Sequence, residues 1–158
     1  MDTHSRAAIV TGGTKGIGAQ IARRLAADGI AVAVNYARDG AAAAAVVAEI
    51  TAGGGRAIAV EADLGDPAGA AAIFDAAERA FGRIDILVNN AGTMTLSPLA
   101  DASDEEFDRQ VAVNLGGVFR GLREGARRLA DGGRIISLSS TLVGVYFPTY
   151  GIYAATKA

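Results

Sequence analysis

A doubly wound α/β domain built on a parallel sheet is predicted by three observations. Five short apolar runs are nearly continuous, alanine-rich segments of helical length separate them, and a glycine-rich turn follows the first run directly. Strands covered on both faces read as unbroken apolar stretches rather than alternating ones. The runs are "AAIVTG", "AVAVNY", "AIAVEAD", "DILVNNAG" and "RIISLSS". Their alternation with helices implies right-handed βαβ crossovers and helices on both faces of the sheet, the Rossmann-type arrangement.

The helices are read from their starts and stops. The first spans Ile17 to Ala27; the second spans Ala41 to Thr51 and is stopped by Gly53, Gly54 and Gly55. The alanine run within it is low in complexity, but alanine is the best helix former. A third helix is expected to open with Asp66 as N-cap and Pro67 at its first position. A fourth opens at "SDEE", where Ser103 and Glu106 have capping-box spacing. Its apolar stripe is read as Phe107, Val111, Leu115, Val118 and Leu122, with a stop at Gly132.

At 158 residues with no repeat or linker, the chain is expected to form a single domain over 1–158. A formal net charge of -2 gives no reason to expect a nucleic-acid or acidic-membrane partner, since both call for a basic field. There is no cysteine and one histidine, His4, which stands in a polar N-terminal stretch, so no metal is expected. The N-terminus lacks the apolar segment of a signal peptide, and no run approaches the roughly 18 apolar residues of a membrane span. The expectation is a soluble, cytoplasmic protein.

The turn "TGGTKGIG" places Gly12, Gly16 and Gly18 between the first strand and the first helix. Without Cβ atoms the backbone can bend sharply, a pyrophosphate can approach the helix N-terminus, and the helix can pack close to the sheet. The spacing is not G-x-G-x-x-G and lacks the G-K-[ST] ending of a nucleoside-triphosphate loop. At the end of the second strand an acid would bind a ribose 2′-hydroxyl and a cation would favour a 2′-phosphate. Here the residues are Asn35, Tyr36, Ala37 and Arg38, with Lys15 on the same side in the glycine turn. NADP(H) is therefore favoured over NAD(H), although Asp39 competes for Arg38. Asp63 ends the third strand at the rim where such sheets bind ligands, either facing a base or closing a turn.

The stretch "SSTLVGVYFPTYGIYAATKA" carries the candidate chemistry. Tyr153 and Lys157 are four apart and share one helix face. A phenol ordinarily titrates near 10, so exchanging a proton near neutrality requires a neighbouring cation that favours phenolate. Tyr146 and Tyr150 have no lysine at that spacing. Ser139 and Ser140 close the fifth strand, where one hydroxyl can hold a carbonyl oxygen while the tyrosine protonates it.

In this order, "TGGTKGIG", "NNAG", "VNLGGVF" and a serine followed by "YAATK" resemble the short-chain dehydrogenase/reductase family over essentially the whole chain. Within it the chain looks most like the β-ketoacyl carrier-protein reductase group. The resemblance implies hydride transfer between NADP(H) and a ketone, β-ketoacyl carbonyl or alcohol. It assigns Tyr153 as acid/base, Ser140 rather than Ser139 as the catalytic serine, Asn114 as the holder of a relay water, and Lys157 as the residue that binds the nicotinamide ribose and makes the tyrosine more acidic. For the cofactor it assigns Gly12, Thr14, Lys15, Gly16, Ile17 and Gly18 of the turn, Tyr36, Ala37 and Arg38 after the second strand, Asp63 and Leu64 after the third, and Asn90, Ala91 and Gly92 after the fourth, with Tyr153 and Lys157 shared between the two tasks. Residues 93–99 and 141–150 should border the substrate, with Leu142, Val143, Tyr146 and Phe147 as an apolar wall, or as core or subunit contacts. A homo-oligomer, dimer or tetramer, is also implied. Family members continue past the lysine, so the chain is expected to be shortened relative to them, which leaves a non-catalytic NADPH-binding or interaction module as the alternative to an active reductase.

Overall fold

In the computed structural model, residues 6–158 are described; His4 lies outside them. Five strands, β1 (Ala7–Val10), β2 (Ala31–Tyr36), β3 (Ala57–Glu61), β4 (Ile84–Asn89) and β5 (Leu129–Ser137), form one parallel sheet in the order β3-β2-β1-β4-β5. The chain winds outward from β1 to one edge, returns to β4, and winds to the other. Helices α1 (Gly16–Ala27), α2 (Gly40–Ala52) and α3 (Gly69–Phe81) join the first four strands. Between β4 and β5 run α4 (Asp104–Gln110), a π-helical segment (Val111–Gly117) and α5 (Val118–Arg128), and the chain ends in α6 (Gly151–Lys157).

The continuous apolar runs are explained by two cores, one on each face. Ile9, Ala33 and Leu87 pack with Ile73 and Phe74 of α3, while their neighbours Val10, Val34 and Val88 pack with Ala22 of α1 and Val46 and Ile50 of α2. Successive residues of one strand thus enter opposite cores, as the two-residue period requires. No helix of the described residues is long and apolar enough to cross a membrane.

Three local readings are corrected. Asp66 does not cap α3: its Oδ1 accepts the Ala68 N–H at 2.7 Å, closing a turn before the helix starts at Gly69. Gly132 is not a helix stop. The helix ends at Arg128, and Gly132, with φ 77°, falls inside β5, where pairing jumps from Leu129 opposite Ile84 to Arg134 opposite Ile86. This is a bulge, which absorbs surplus residues of one strand. The outer strands are not covered on both faces: Ala59 of β3 and Ile136 of β5 are exposed, the latter at 52 %. The apolar stripe read along the helix after Ser103 looks outward, with Phe107, Leu115 and Leu122 exposed.

The buried side of that long helix carries Gln110, Val113, Asn114, Gly117, Gly121 and Gly125. Small size is what this side requires. A Cβ at Gly117 would stand 3.0 Å from the Leu64 Cβ, and one at Gly125 would stand 2.9 Å from the Ile135 Cδ1. Backbone-close packing therefore replaces a large-residue stripe. At its start the expected capping box is present: Ser103 Oγ accepts the Glu106 N–H at 3.2 Å, and Glu106 Oε2 accepts the Ser103 N–H at 3.3 Å.

Candidate active site

All the strands deliver their carboxyl ends to one rim, and a cleft of about 550 Å³ lies there. Gly12, Thr14, Lys15, Gly16 and Ile17 line it from the glycine turn, Tyr36, Ala37 and Arg38 from the end of β2. Asp63 and Leu64 line it after β3, and Asn90, Ala91 and Gly92 after β4. Of the expected cofactor residues, Gly18 lies beneath this surface, and Tyr153 and Lys157 stand beyond it on α6.

The turn is held from below. Asn35, buried at the end of β2, accepts the Gly12 N–H on Oδ1 at 3.2 Å and donates through Nδ2 to the carbonyls of Ala62 (2.9 Å) and Val60 (3.2 Å). Asn90 Nδ2 donates to the carbonyls of Thr11 (2.9 Å) and Gly12 (3.0 Å). The Thr11 hydroxyl accepts the N–H groups of Asn90 and Ala91, both at 3.0 Å, and donates to the Val88 carbonyl at 3.2 Å. Gly12 takes φ 60°, and a Cβ there would come 2.9 Å from the Ala91 Cα; a Cβ at Gly18 would overlap the Gly12 carbonyl oxygen and the Asn90 side chain. These contacts require glycine at both positions.

Helix α1 starts in the cleft with no side-chain cap and no acid in its first turn, whereas α2 and α4 are capped by Asp39 and Ser103. Its first N–H groups and the positive end of its dipole are thus open to an anion. Asp39 makes that cap, its Oδ1 accepting the Ala42 N–H at 2.9 Å. A glycine cradle, an uncapped helix start and two cations, Lys15 and Arg38, in one cleft fit a phosphorylated dinucleotide. No group of three or more metal-binding side chains occurs among the described residues.

On α6, the Lys157 Nζ stands 6.0 Å from the centre of the Tyr153 ring and donates to the Leu138 carbonyl at 3.2 Å. It also borders the cleft, since a Cβ at Gly92 would come within 3.5 Å of it. Burial pushes the Lys157 pKa down from its ordinary value, because its cation loses hydration. Ser140 Oγ accepts the Leu142 N–H at 3.2 Å, at the start of a short 3₁₀ turn (Thr141–Val143). Ser139 Oγ instead donates to the Lys157 carbonyl at 2.9 Å, anchoring the end of α6 to the segment after β5, a strand that ends at Ser137 and not at the two serines.

Asn114 lies in the π-helical segment and is buried. Its Oδ1 accepts the Thr93 N–H and its Nδ2 donates to the Thr93 carbonyl, both at 2.8 Å. The same Nδ2 also donates to Thr156 Oγ1 at 3.0 Å, and Thr156 donates onward to the Tyr153 carbonyl at 2.8 Å. One amide thereby ties the loop after β4, the π-helical segment and the helix carrying Tyr153. Thr11, Asn35 and Thr156 were not read as site residues in the sequence; for Asn35 the available signal was an amide closing an apolar run. Replacing Thr156 with valine, which has the same shape, should destabilise the fold by about 1–3 kcal/mol by leaving buried polar groups unpaired. Serine should restore most of it, and equal melting temperatures for the valine variant and the parent would contradict the linkage.

The loops expected at the substrate meet beside α6: the Ser97 N–H donates to the Thr149 carbonyl at 3.3 Å. They expose Met94, Leu96, Leu99, Val143, Tyr146 and Phe147. The apolar wall is thus at the surface and not in the core. Thr149 sits at φ 72°, a strained conformation for a β-branched residue, two positions before α6 begins.

The family model for short chain dehydrogenases matches residues 6–158. An uncharacterized oxidoreductase of Methylorubrum extorquens is 45% identical over 152 residues, covering 96% of this chain and 61% of that protein. A short-chain dehydrogenase of Burkholderia cenocepacia, solved in complex with NADP, superposes with a TM-score of 0.92 at 45% identity, covering 98% of this chain and 63% of that one. The angucycline C-6 ketoreductase LanV, solved with bound NADP, superposes with a TM-score of 0.91 at 40% identity, covering 96% and 62%. The chain belongs to the short-chain dehydrogenase/reductase family, and it spans about three fifths of the length of these relatives.

Proposed function

We propose that this member of the short-chain dehydrogenase/reductase family supplies the cofactor cleft and the catalytic side chains of an NADP(H)-dependent reductase acting on a ketone or β-ketoacyl carbonyl, reversibly with the alcohol. The observation that carries the proposal is one continuous arrangement. The glycine cradle opens toward Gly92, Lys157 borders Gly92, and Tyr153 shares a helix with Lys157. Two solved relatives with bound NADP, one of them a ketoreductase, support the choice of cofactor and reaction.

When bound, the nicotinamide supplies a hydride to the carbonyl carbon. Tyr153 donates its phenolic proton to the carbonyl oxygen, and the Ser140 hydroxyl holds that oxygen by a hydrogen bond. Lys157 holds the nicotinamide ribose and favours the phenolate left behind. A water held at Asn114 returns the proton by way of Lys157. The cleft residues orient the dinucleotide, with Asp63 at the adenine and Lys15 and Arg38 at the 2′-phosphate. Oxidation of NADPH by the intact protein, followed over a panel of ketones and β-ketoacyl thioesters, tests the reaction; binding of NADPH without turnover of any of them would favour a non-catalytic module.

The cations set the choice of cofactor. Replacing Lys15 and Arg38 together with alanine should weaken NADPH binding at least about tenfold, the scale of one charge-assisted contact, and leave NADH binding within about twofold. Equal dissociation constants for the two cofactors in the unsubstituted protein would contradict the assignment.

The partner of the outward stripe is, in our reading, a second copy. Phe107, Leu115, Phe119 and Leu122 are 50, 55, 58 and 41 % exposed along α4, the π-helical segment and α5. A contiguous apolar face of this kind marks an association surface. Sedimentation should show a dimer or tetramer that Leu115→Glu dissociates; a monomer at every concentration would contradict this.

A further inference from the structure

Arg109, on α4, lines the cofactor cleft, although its sequence position in "DEEFDRQ" suggests only a solvated surface charge. Its Nη1 stands 3.0 Å from Asp63 Oδ2, with the two side chains 38 and 39 % exposed. The other oxygen, Oδ1, accepts the Gly65 N–H at 2.8 Å. The carboxylate is therefore held at both ends, across two elements. An ion pair this exposed adds little to folding, so stability does not account for it. Partial burial works to raise the Asp63 pKa, but the paired Arg109 guanidinium, the Gly65 N–H and the Arg38 charge together outweigh it, and the carboxyl's pKa is lowered from its ordinary value, leaving it an acceptor at neutral pH. Each oxygen keeps a further lone pair for a donor in the cleft.

We infer that Arg109 is a positioning residue for base selection. Its guanidinium fixes the Asp63 carboxylate to accept a hydrogen bond from the exocyclic amino group of a purine, so that the pair, not Asp63 alone, discriminates adenine from hypoxanthine. Hypoxanthine presents an oxo group where adenine presents the amino group, and an oxygen set against a fixed carboxylate is repelled. A carboxylate free to rotate turns away and discriminates poorly. Arg109 is engaged in this way with Asp63, so it is not a third phosphate-binding cation beside Lys15 and Arg38. The inference rests on reading the cleft as a dinucleotide site.

Gly65 offers a second way to disturb the pair without removing charge. A Cβ there would overlap the Arg109 Nη1, the far end of a flexible side chain that can swing away, and would approach Asp63 Oδ1 at 3.1 Å. The test is calorimetric titration of NADPH and its deaminated hypoxanthine analogue into the intact protein, Arg109→Met and Gly65→Ala, with melting temperatures measured alongside. The unsubstituted protein should bind NADPH at least about tenfold tighter than the analogue, the scale expected when one polar partner is mismatched. In both variants the ratio should fall to about twofold or less, mainly through weaker NADPH binding. An unchanged ratio in a folded Arg109→Met protein overturns the inference, whether the two affinities hold or fall together. A ratio near one in the unsubstituted protein, with tight NADPH binding, overturns the base contact at Asp63. Failure of NADPH to bind at all overturns the reading of the cleft itself.

Discussion

Tyr153→Phe should lower turnover of the intact enzyme by at least about a hundredfold, the lower bound for removing a general acid, and leave the NADPH dissociation constant within about twofold. The ring remains, so the packing of α6 and the 6.0 Å separation between Lys157 and the ring centre remain with it. The backbone carbonyl that accepts from Thr156 is untouched. Only the transferable proton is lost. Parallel steady-state kinetics and calorimetric titration separate the two quantities. Retained turnover would move the acid role to another group, whereas loss of turnover and binding together would make Tyr153 a binding residue instead.

Gly18→Ala should weaken NADPH binding at least about tenfold while Tyr153, Lys157 and Asn114 are all present. The added methyl would overlap the Gly12 carbonyl oxygen and the Asn90 amide, neither of which is free to move. Asn90 is pinned to the Thr11 and Gly12 carbonyls, and Gly12 is pinned by Asn35. Overpacking of this kind costs about 1–3 kcal/mol in stability, and the displaced turn would spoil the anion-binding start of α1. The expected result is a lower melting temperature and an NADPH affinity reduced at least about tenfold. A variant that binds like the parent would show that the turn does not form the cradle.

The winding of the sheet and the place of the cleft were legible in the sequence because both depend on local signals. Continuous apolar runs marked the parallel strands, Ser103 and Glu106 marked a helix start, and the residues after each strand had to meet at the carboxyl rim. The orientation of the α4–α5 helix was not legible. Hydropathy marks Phe107, Leu115 and Leu122 as a face without saying what covers it, and the buried side of Gly117, Gly121 and Gly125 carries almost no hydropathy signal. The start of β5 was hidden for a related reason. Pairing is a relation between strands, and the bulge at Gly132 lets Leu129 join β4 well before the apolar run begins.

At the site, spacing brought Tyr153 and Lys157 to one helix, but the links between segments came only with tertiary structure. Thr156 follows Tyr153 by three residues and binds an amide 42 residues earlier in the chain, and Arg109 meets Asp63 across the cleft. No local pattern carries either contact. The same holds for the two serines: adjacent in sequence, one caps a 3₁₀ turn and the other anchors the end of α6.

The most direct test of the central claim is to follow the hydride itself. NADPH carrying deuterium at the transferable position of the nicotinamide is incubated with the intact protein and a panel of ketones and β-ketoacyl thioesters, and the alcohol products are analysed by mass spectrometry. The account predicts an alcohol bearing one deuterium on the former carbonyl carbon, formed by the unsubstituted protein and lost in Tyr153→Phe. Tight NADPH binding with no deuterium delivered to any carbonyl of the panel would contradict it and identify the chain's cleft as a binding module.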